Sequence, residues 1–151
     1  MKLSERLKEL KIELPPVPPA VASYIPARRL GDLVYVSGQL PFLNGELMAT
    51  GHLGESLEVE DGQELARRCF LNAISAAASV VDLDEITGVF RIGAWVASTK
   101  LFTQQALVVN GASDLALAIF DDDGRHVRAA VGAVSLPLNS PVEIEVIFTL
   151  G

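Results

Sequence analysis

An arginine and a glutamate in the last quarter of the chain are the strongest candidates for chemistry. Arg128 alternates with Ala130 and Gly132, small residues that leave room beside a guanidinium. In a partly dry cleft, a guanidinium recognises a carboxylate or phosphate through two parallel hydrogen bonds. Glu143 follows at the start of the last strand-like segment and could orient or deprotonate a water in the same cleft. The two residues equally fit an ion pair that binds no ligand, so the pattern leaves both interpretations open.

The alternation of the final segment, 142–150, indicates which face of a sheet carries these side chains. Its even-numbered residues from Val142 to Phe148 are apolar, and we expect them to pack under helices. Its odd-numbered residues mix carboxylates with Ile147. We expect Arg128 and Val134 to share this second face, which is too apolar for solvent and too charged for a core. Association of subunits would cover this second face and leave a polar cleft at the subunit interface.

Other polar residues are weaker candidates. His52 and His126 are too few and too isolated for a metal site, and both fit ordinary surface histidines. Cys69 lies on the apolar stripe of a predicted helix, which is typical of a core residue. Ser37 has no nearby histidine and does not fit a nucleophile elbow. The segment 111–113 has no P-loop lysine, so it is not expected to cradle phosphate.

The elements that must position these residues can be predicted from periodicity and turn residues. A short helix with Leu3, Leu7, Leu10 and Leu14 on one face, capped by Ser4, should end before an extended proline run at 15–19. The predicted strands are 28–30 and 33–38, joined by a turn at 31–32, then a short edge strand near 46–48, then 86–97, 129–135 and 142–150. The predicted helices start at Val59 and Phe102. This order, ββ(β)αβαββ, indicates an α+β domain whose mixed sheet is covered on one face by two helices.

Composition limits the classes of function. The 151 residues suffice for one domain, and its core must be aliphatic because 50% of the residues are hydrophobic but only 6% aromatic. The net charge of −7 argues against general nucleic-acid binding, which usually needs a basic surface. No apolar run reaches the roughly 18 residues of a membrane span. With one cysteine and no signal-peptide pattern at the N-terminus, we expect a cytoplasmic protein.

Two segments carry a resemblance to a known family. The first, Gly31–Pro41, is a predicted strand that runs into Ser-Gly-Gln-Leu-Pro. The second is Arg128–Gly132, followed by Leu-Pro at 136–137 and by Val-Glu-Ile-Glu at 142–145. The pair, in this order and spacing, resembles the N- and C-terminal motifs of the RidA/YjgF family, also called endoribonuclease L-PSP. The resemblance covers about residues 20–150, so we expect a RidA-like domain at 20–151 after an N-terminal extension, 1–19.

The resemblance implies a chorismate-mutase-like fold, a homotrimer and three clefts between subunits. In deaminase members the arginine matching Arg128 binds the carboxylate of a 2-imino acid, and the glutamate matching Glu143 positions the attacking water. The residues matching Tyr24, Ser37, Gly38 and Asn110 line the pocket, and Ala130 stands where a cysteine is common. These members hydrolyse enamine and imine intermediates to 2-keto acids and ammonia. No metal or organic cofactor is implied, since a protonated imine is already electrophilic.

Departures from the deaminase pattern leave the function open. Residues 22–27 differ from the usual Gly-Pro-Tyr-Ser-Gln-Ala, and His126-Val127 replaces the Pro-Ala that precedes the family arginine. The first hypothesis is an imine deaminase. The second is a non-catalytic trimer that binds small carboxylates or regulates a metabolic enzyme. The third is the endoribonuclease activity of the older family name, against which the acidic charge weighs.

Overall fold

The computed structural model describes residues 1–17 and 23–151, where a five-stranded sheet carries helices on one face. The helices are α1 (Leu3–Glu9), α2 (Val59–Ala77) and α3 (Gln105–Phe120). The strands are β1 (Ala27–Leu30), β2 (Leu33–Gln39), β3 (Phe42–Leu43), β4 (Glu46–Leu47), β5 (Ile86–Ala97), β6 (Val127–Ala133) and β7 (Val142–Leu150). The predicted α+β class with a mixed sheet is therefore confirmed.

The order of strands in the sheet is β1-β2-β7-β5-β6, with β3 and β4 forming a small separate hairpin. β1 pairs with β2 across a tight turn in which Gly31 has a φ of 58°, a conformation that glycine adopts without steric cost. β7 lies between β2 and β5 and is antiparallel to both. β5 and β6 are parallel, and α3 makes the crossover between them. The last two strands of the chain are therefore not neighbours.

The core lies between the sheet and the two long helices. Val142, Ile144, Val146 and Phe148 are fully buried, which confirms the predicted inner face of β7. α2 packs over β2 and β7, where the rings of Phe70 and Phe148 are 5.8 Å apart. α3 packs over β5 and β6. The unshielded face of the sheet is the one that carries the odd-numbered residues of β7.

The N-terminal helix packs on the outside of this layer. Leu3 and Leu7 are buried in the same core, and Arg6 donates to the carbonyl oxygen of Ala118 near the end of α3. Ser4 does not cap the helix as predicted: Lys2 holds the cap position, and the Ser4 hydroxyl donates to Asp84.

The helix also ends earlier than expected, at Glu9, and Lys11 turns the chain with a φ of 56°. Of the predicted proline run, residues 18 and 19 lie outside the described residues, and so does residue 22. No helix in the part of the chain that the structure describes is both long and apolar enough to cross a bilayer.

Candidate functional site

Arg128 lies on the helix-covered side of the sheet, at its β6 edge. It pairs in register with the buried Ile92 of β5, and its guanidinium reaches across to α3. Nη1 donates to Oδ1 of Asn110 at 2.8 Å and to Oγ of Ser113 at 3.0 Å, and Nη2 donates to the carbonyl oxygen of Ala106 at 3.3 Å. We call Asn110, Ser113 and Arg128 the guanidinium half-site. α3 can supply two of its members because residues three apart share one face of a helix.

The hydrogen bonds of Arg128 leave one edge of its guanidinium available. A guanidinium has five N–H donors: one on Nε and two on each terminal nitrogen. Both donors of Nη1 and one of Nη2 are used, so one remains on Nε and one on Nη2. Among residues 1–17 and 23–151, no carboxylate lies within ion-pair distance of this guanidinium. The half-site is therefore a half-buried, oriented cation with two donors on adjacent nitrogens for an anion.

His126 is tied to this half-site, which corrects the expectation of an isolated surface histidine. Its Nε2 is 2.9 Å from Oγ of Ser113, and its Nδ1 is 2.7 Å from the carbonyl oxygen of Gly124. Ala130 lies two residues beyond Arg128 on the same face, in register with the buried Ala94.

Four of the other predicted site residues meet elsewhere, around a cavity of about 390 Å³. Tyr24, Ser37, Gly38 and Glu143 line it, together with residues of the 39–42 and 137–138 segments. We call these four residues the carboxylate half-site. The Ser37 hydroxyl donates to the carbonyl oxygen of Pro26 and so joins β2 to the segment that carries Tyr24. The side chain of Asn72 on α2 donates to the carbonyl oxygens of Leu40 and Phe42 and fixes the opposite wall.

Glu143 has the electrostatics of a proton acceptor. Burial raises the pKa of its carboxyl group above the ordinary value, and the nearby charge of Glu145 raises it further. No donor within the described ranges makes a hydrogen bond to this carboxylate, whereas Glu145 accepts from Arg91 at 3.0 Å. Gly38 gives Glu143 its place, since a Cβ at position 38 would lie only 2.5 Å from Oε1 of Glu143.

The two half-sites lie on opposite faces of the sheet, which corrects the expectation that Arg128 shares one face with Glu143. Arg128 points towards α3, while Glu143 lies on the unshielded face, in register with Trp95. The alternative of an Arg128–Glu143 ion pair within one chain is wrong for the same reason. Both expectations assumed that β6 and β7 are neighbours. In the structure β5 lies between them, so the alternation within β7 does not indicate which face the side chains of β6 occupy. A site that uses both residues needs two chains.

The unshielded face also exposes apolar side chains that the helices do not reach. Tyr35 is 45% exposed, Val127 61% and Val131 48%. All three are linked through the strand register to Ile147 or Trp95, so they belong to one surface. The Arg91–Glu145 ion pair lies between these apolar side chains, so the face mixes exposed apolar residues with charged ones. Exposed apolar residues grouped on one face, with polar residues beside them, often mark an interaction site.

Comparison with known proteins identifies the family. The family model described as "YjgF/chorismate_mutase-like, putative endoribonuclease" matches residues 4–150. The chain belongs to the YjgF (RidA) family. Within this family it is 38% identical to Protein TCP17 of Trypanosoma cruzi, over 99% of this chain and 94% of that protein.

Solved structures of YjgF-family relatives agree with the fold. The Agrobacterium tumefaciens protein Atu1372, described as of unknown function, is 39% identical, with a TM-score of 0.87 over 98% of this chain and 91% of that one. A "putative endoribonuclease" from Shewanella oneidensis is 31% identical, with a TM-score of 0.92 over 99% and 100%. At 22% identity, E. coli TdcF with bound serine shares the fold, with a TM-score of 0.62 over 89% and 94%.

Ser113 and His126 are the residues that sequence reasoning missed. They are 13 positions apart and meet only because α3 crosses back to place β6 beside it. The replacement of Pro-Ala by His126-Val127 directly before the arginine was the available signal. The residues themselves gave no reason to pair this histidine with a serine on a helix.

Proposed function

We propose that this YjgF-family protein is a homotrimeric deaminase that hydrolyses 2-imino acids to 2-keto acids and ammonia. The observation that carries the proposal is the oriented guanidinium of Arg128, which keeps two adjacent donors and has no carboxylate partner among the residues that the structure describes. These donors fit the two oxygens of a substrate carboxylate.

The opposite placement of the half-sites supports an assembly in which each site is shared. Arg128 and Asn110 of one subunit would face Glu143, Tyr24, Ser37 and Gly38 of the next. The apolar surface around Tyr35, Val127 and Val131 supplies the contact area for such an assembly. Two different patches that meet between subunits form a heterologous contact, and such contacts form a closed ring when the rotation from one subunit to the next closes. A ring of three agrees with the family resemblance.

The chemistry requires little more than orientation. With its carboxylate held by Arg128, the protonated imine presents its carbon to a water beside Glu143. The water oxygen bonds to that carbon while Glu143 accepts one water proton, which its raised pKa favours. The proton then passes to the nitrogen of the tetrahedral intermediate. The C–N bond breaks as Glu143 accepts the proton of the new hydroxyl group, so ammonia leaves and the 2-keto acid remains bound through its carboxylate.

The proposal is tested with imino acids that an amino-acid oxidase generates in situ, whose loss is followed by semicarbazide trapping. Glu143→Gln should bind 2-ketobutyrate nearly as wild type does, yet turn over about 10²–10⁴ times more slowly. Arg128→Ala should lose both binding and turnover. Arg125→Ala removes an exposed guanidinium three residues away and should change neither. If the wild-type protein hydrolyses no imino acid faster than buffer, the deaminase proposal is refuted.

A trimer that binds small carboxylates without turnover is the second candidate, and the serine held by TdcF favours it. Binding of 2-ketobutyrate with no imine hydrolysis would establish this alternative. The net charge of −7 argues against an endoribonuclease activity. RNA affinity that falls steeply across a salt series would be needed to revive it.

A further inference from the structure

We infer that His126 is a positioning residue for Arg128 and acts through the hydroxyl group of Ser113. The inference rests on the proposed function, in which Arg128 anchors the substrate carboxylate. Its basis is a chain of hydrogen bonds from the backbone of Gly124 to the guanidinium.

With a neutral His126, the donor and acceptor of each hydrogen bond in this series are fixed. The carbonyl oxygen of Gly124 can only accept, so the ring proton of a neutral His126 lies on Nδ1, at 2.7 Å from that oxygen. Nε2 is then an acceptor, and the proton of the Ser113 hydroxyl points to it at 2.9 Å. The oxygen of Ser113 is left to accept from Nη1 of Arg128 at 3.0 Å.

Without the imidazole, the Ser113 hydroxyl would lose its acceptor and could rotate. Its lone pairs would no longer be held towards Nη1, and Asn110 alone would orient that end of the guanidinium. The Nε/Nη2 edge turns with the rest of the planar group, so a loose Nη1 means a loose anion-binding edge. The Pro-Ala that precedes the arginine in deaminase members offers no side-chain acceptor for a serine hydroxyl at this position. This device therefore belongs to chains that carry the histidine.

The test compares four variants in the full-length protein: His126→Phe, Ser113→Ala, the double variant and His52→Phe. His52 is the matched control, because its ring also contacts a backbone carbonyl oxygen, that of Val134, but does not touch the half-site. The first measurement is the NMR signal of the Arg128 Nε–H group, assigned by its loss in Arg128→Lys. The second is the affinity for 2-ketobutyrate, together with KM and kcat for imino acids.

His126→Phe should shift and broaden the Arg128 signal and weaken 2-ketobutyrate binding by about 2- to 10-fold, the usual worth of one hydrogen bond. KM should rise more than kcat falls, because the lost interaction acts on bound substrate and transition state alike. His52→Phe should change none of these quantities. In the Ser113→Ala background the histidine substitution should add nothing, since the route through the hydroxyl is already cut.

A conservative variant guards against a simple folding defect. The amide oxygen of His126→Gln can accept from Ser113, so this variant should recover most of the Arg128 signal and of the affinity. Fully additive effects of His126→Phe and Ser113→Ala would overturn the inference, and so would an unchanged Arg128 signal in His126→Phe. If the signal responds as expected but the wild type binds no 2-ketobutyrate, the positioning stands and the anchoring role of Arg128 is refuted.

Discussion

Gly38→Ala should disable the site without disturbing the fold. An added Cβ would lie 2.5 Å from Oε1 of Glu143, whereas ordinary contact begins at 3.4 Å, so the oxygen must retreat by about 0.9 Å. A misplacement of about 1 Å costs on the order of 10² in rate, which is about 2.7 kcal/mol of transition-state stabilisation. We therefore expect kcat for imino acids to fall by about 10²-fold.

Stability should respond in the opposite sense. The atoms that must move are at the end of a flexible side chain, and Gly38 is not among the residues with positive φ. Replacing glycine by alanine at such a position lowers the entropy of the unfolded chain and stabilises by about 0.4–1 kcal/mol. The melting temperature should stay unchanged or rise slightly, and 2-ketobutyrate should bind nearly as in wild type.

A double-mutant cycle identifies the cause. Glu143→Asp shortens the side chain by one methylene group and withdraws the carboxylate from the new Cβ. In that slow background Gly38→Ala should cost less than about threefold, because nothing remains to be displaced. Steady-state imine hydrolysis and thermal unfolding of all four proteins provide the data. An equal loss of rate in both backgrounds would refute the reasoning, and so would a large drop in melting temperature for Gly38→Ala.

Three further outcomes follow from the structure. Arg128→Lys should bind 2-ketobutyrate at least tenfold more weakly by calorimetry, because an ammonium cannot offer donors on two nitrogens. Glu143→Gln should raise the melting temperature near neutral pH. The pKa of Glu143 is raised in the native state. The difference in melting temperature between Glu143→Gln and wild type should therefore close as pH falls through that pKa. Hydrogen bonds from Ser4 lower the pKa of Asp84, so Asp84→Asn should lower the melting temperature. This difference should begin to shrink as pH falls past the ordinary aspartate pKa of 3.8 and should vanish below the lowered native pKa.

Local pattern was enough to predict most elements of this fold. β5 and β7 begin and end as predicted, and α2 begins at Val59 as predicted. Each of these segments keeps one hydrophobic periodicity over many residues, because one of its faces is buried in the core. Errors fell at ends that distant contacts decide. β6 runs from Val127 to Ala133 and so begins two residues before the predicted start, and Ser4 binds Asp84 instead of capping α1.

The candidate site shows the limit of such reasoning more sharply. Alternation within β7 correctly gave the face of Glu143, and alternation within β6 correctly grouped Arg128 with Ala130. What alternation cannot give is the relation between two strands, because that depends on their order in the sheet. The insertion of β5 between β6 and β7, and the parallel direction of β6, decide that Arg128 and Glu143 face opposite ways.

The placement of Arg128 and Glu143 on opposite faces of the sheet predicts the result of co-expressing two inactive variants. A polypeptide with Arg128→Ala and one with Glu143→Gln should each be inactive, yet they should complement each other when co-expressed. In a mixed ring of the proposed kind, some subunit interfaces join an intact Arg128 from one allele to an intact Glu143 from the other. Random assortment makes about a quarter of all interfaces complete in this way. Heterozygous cells would then retain activity that neither homozygote has, whereas a chain with both substitutions would rescue nothing.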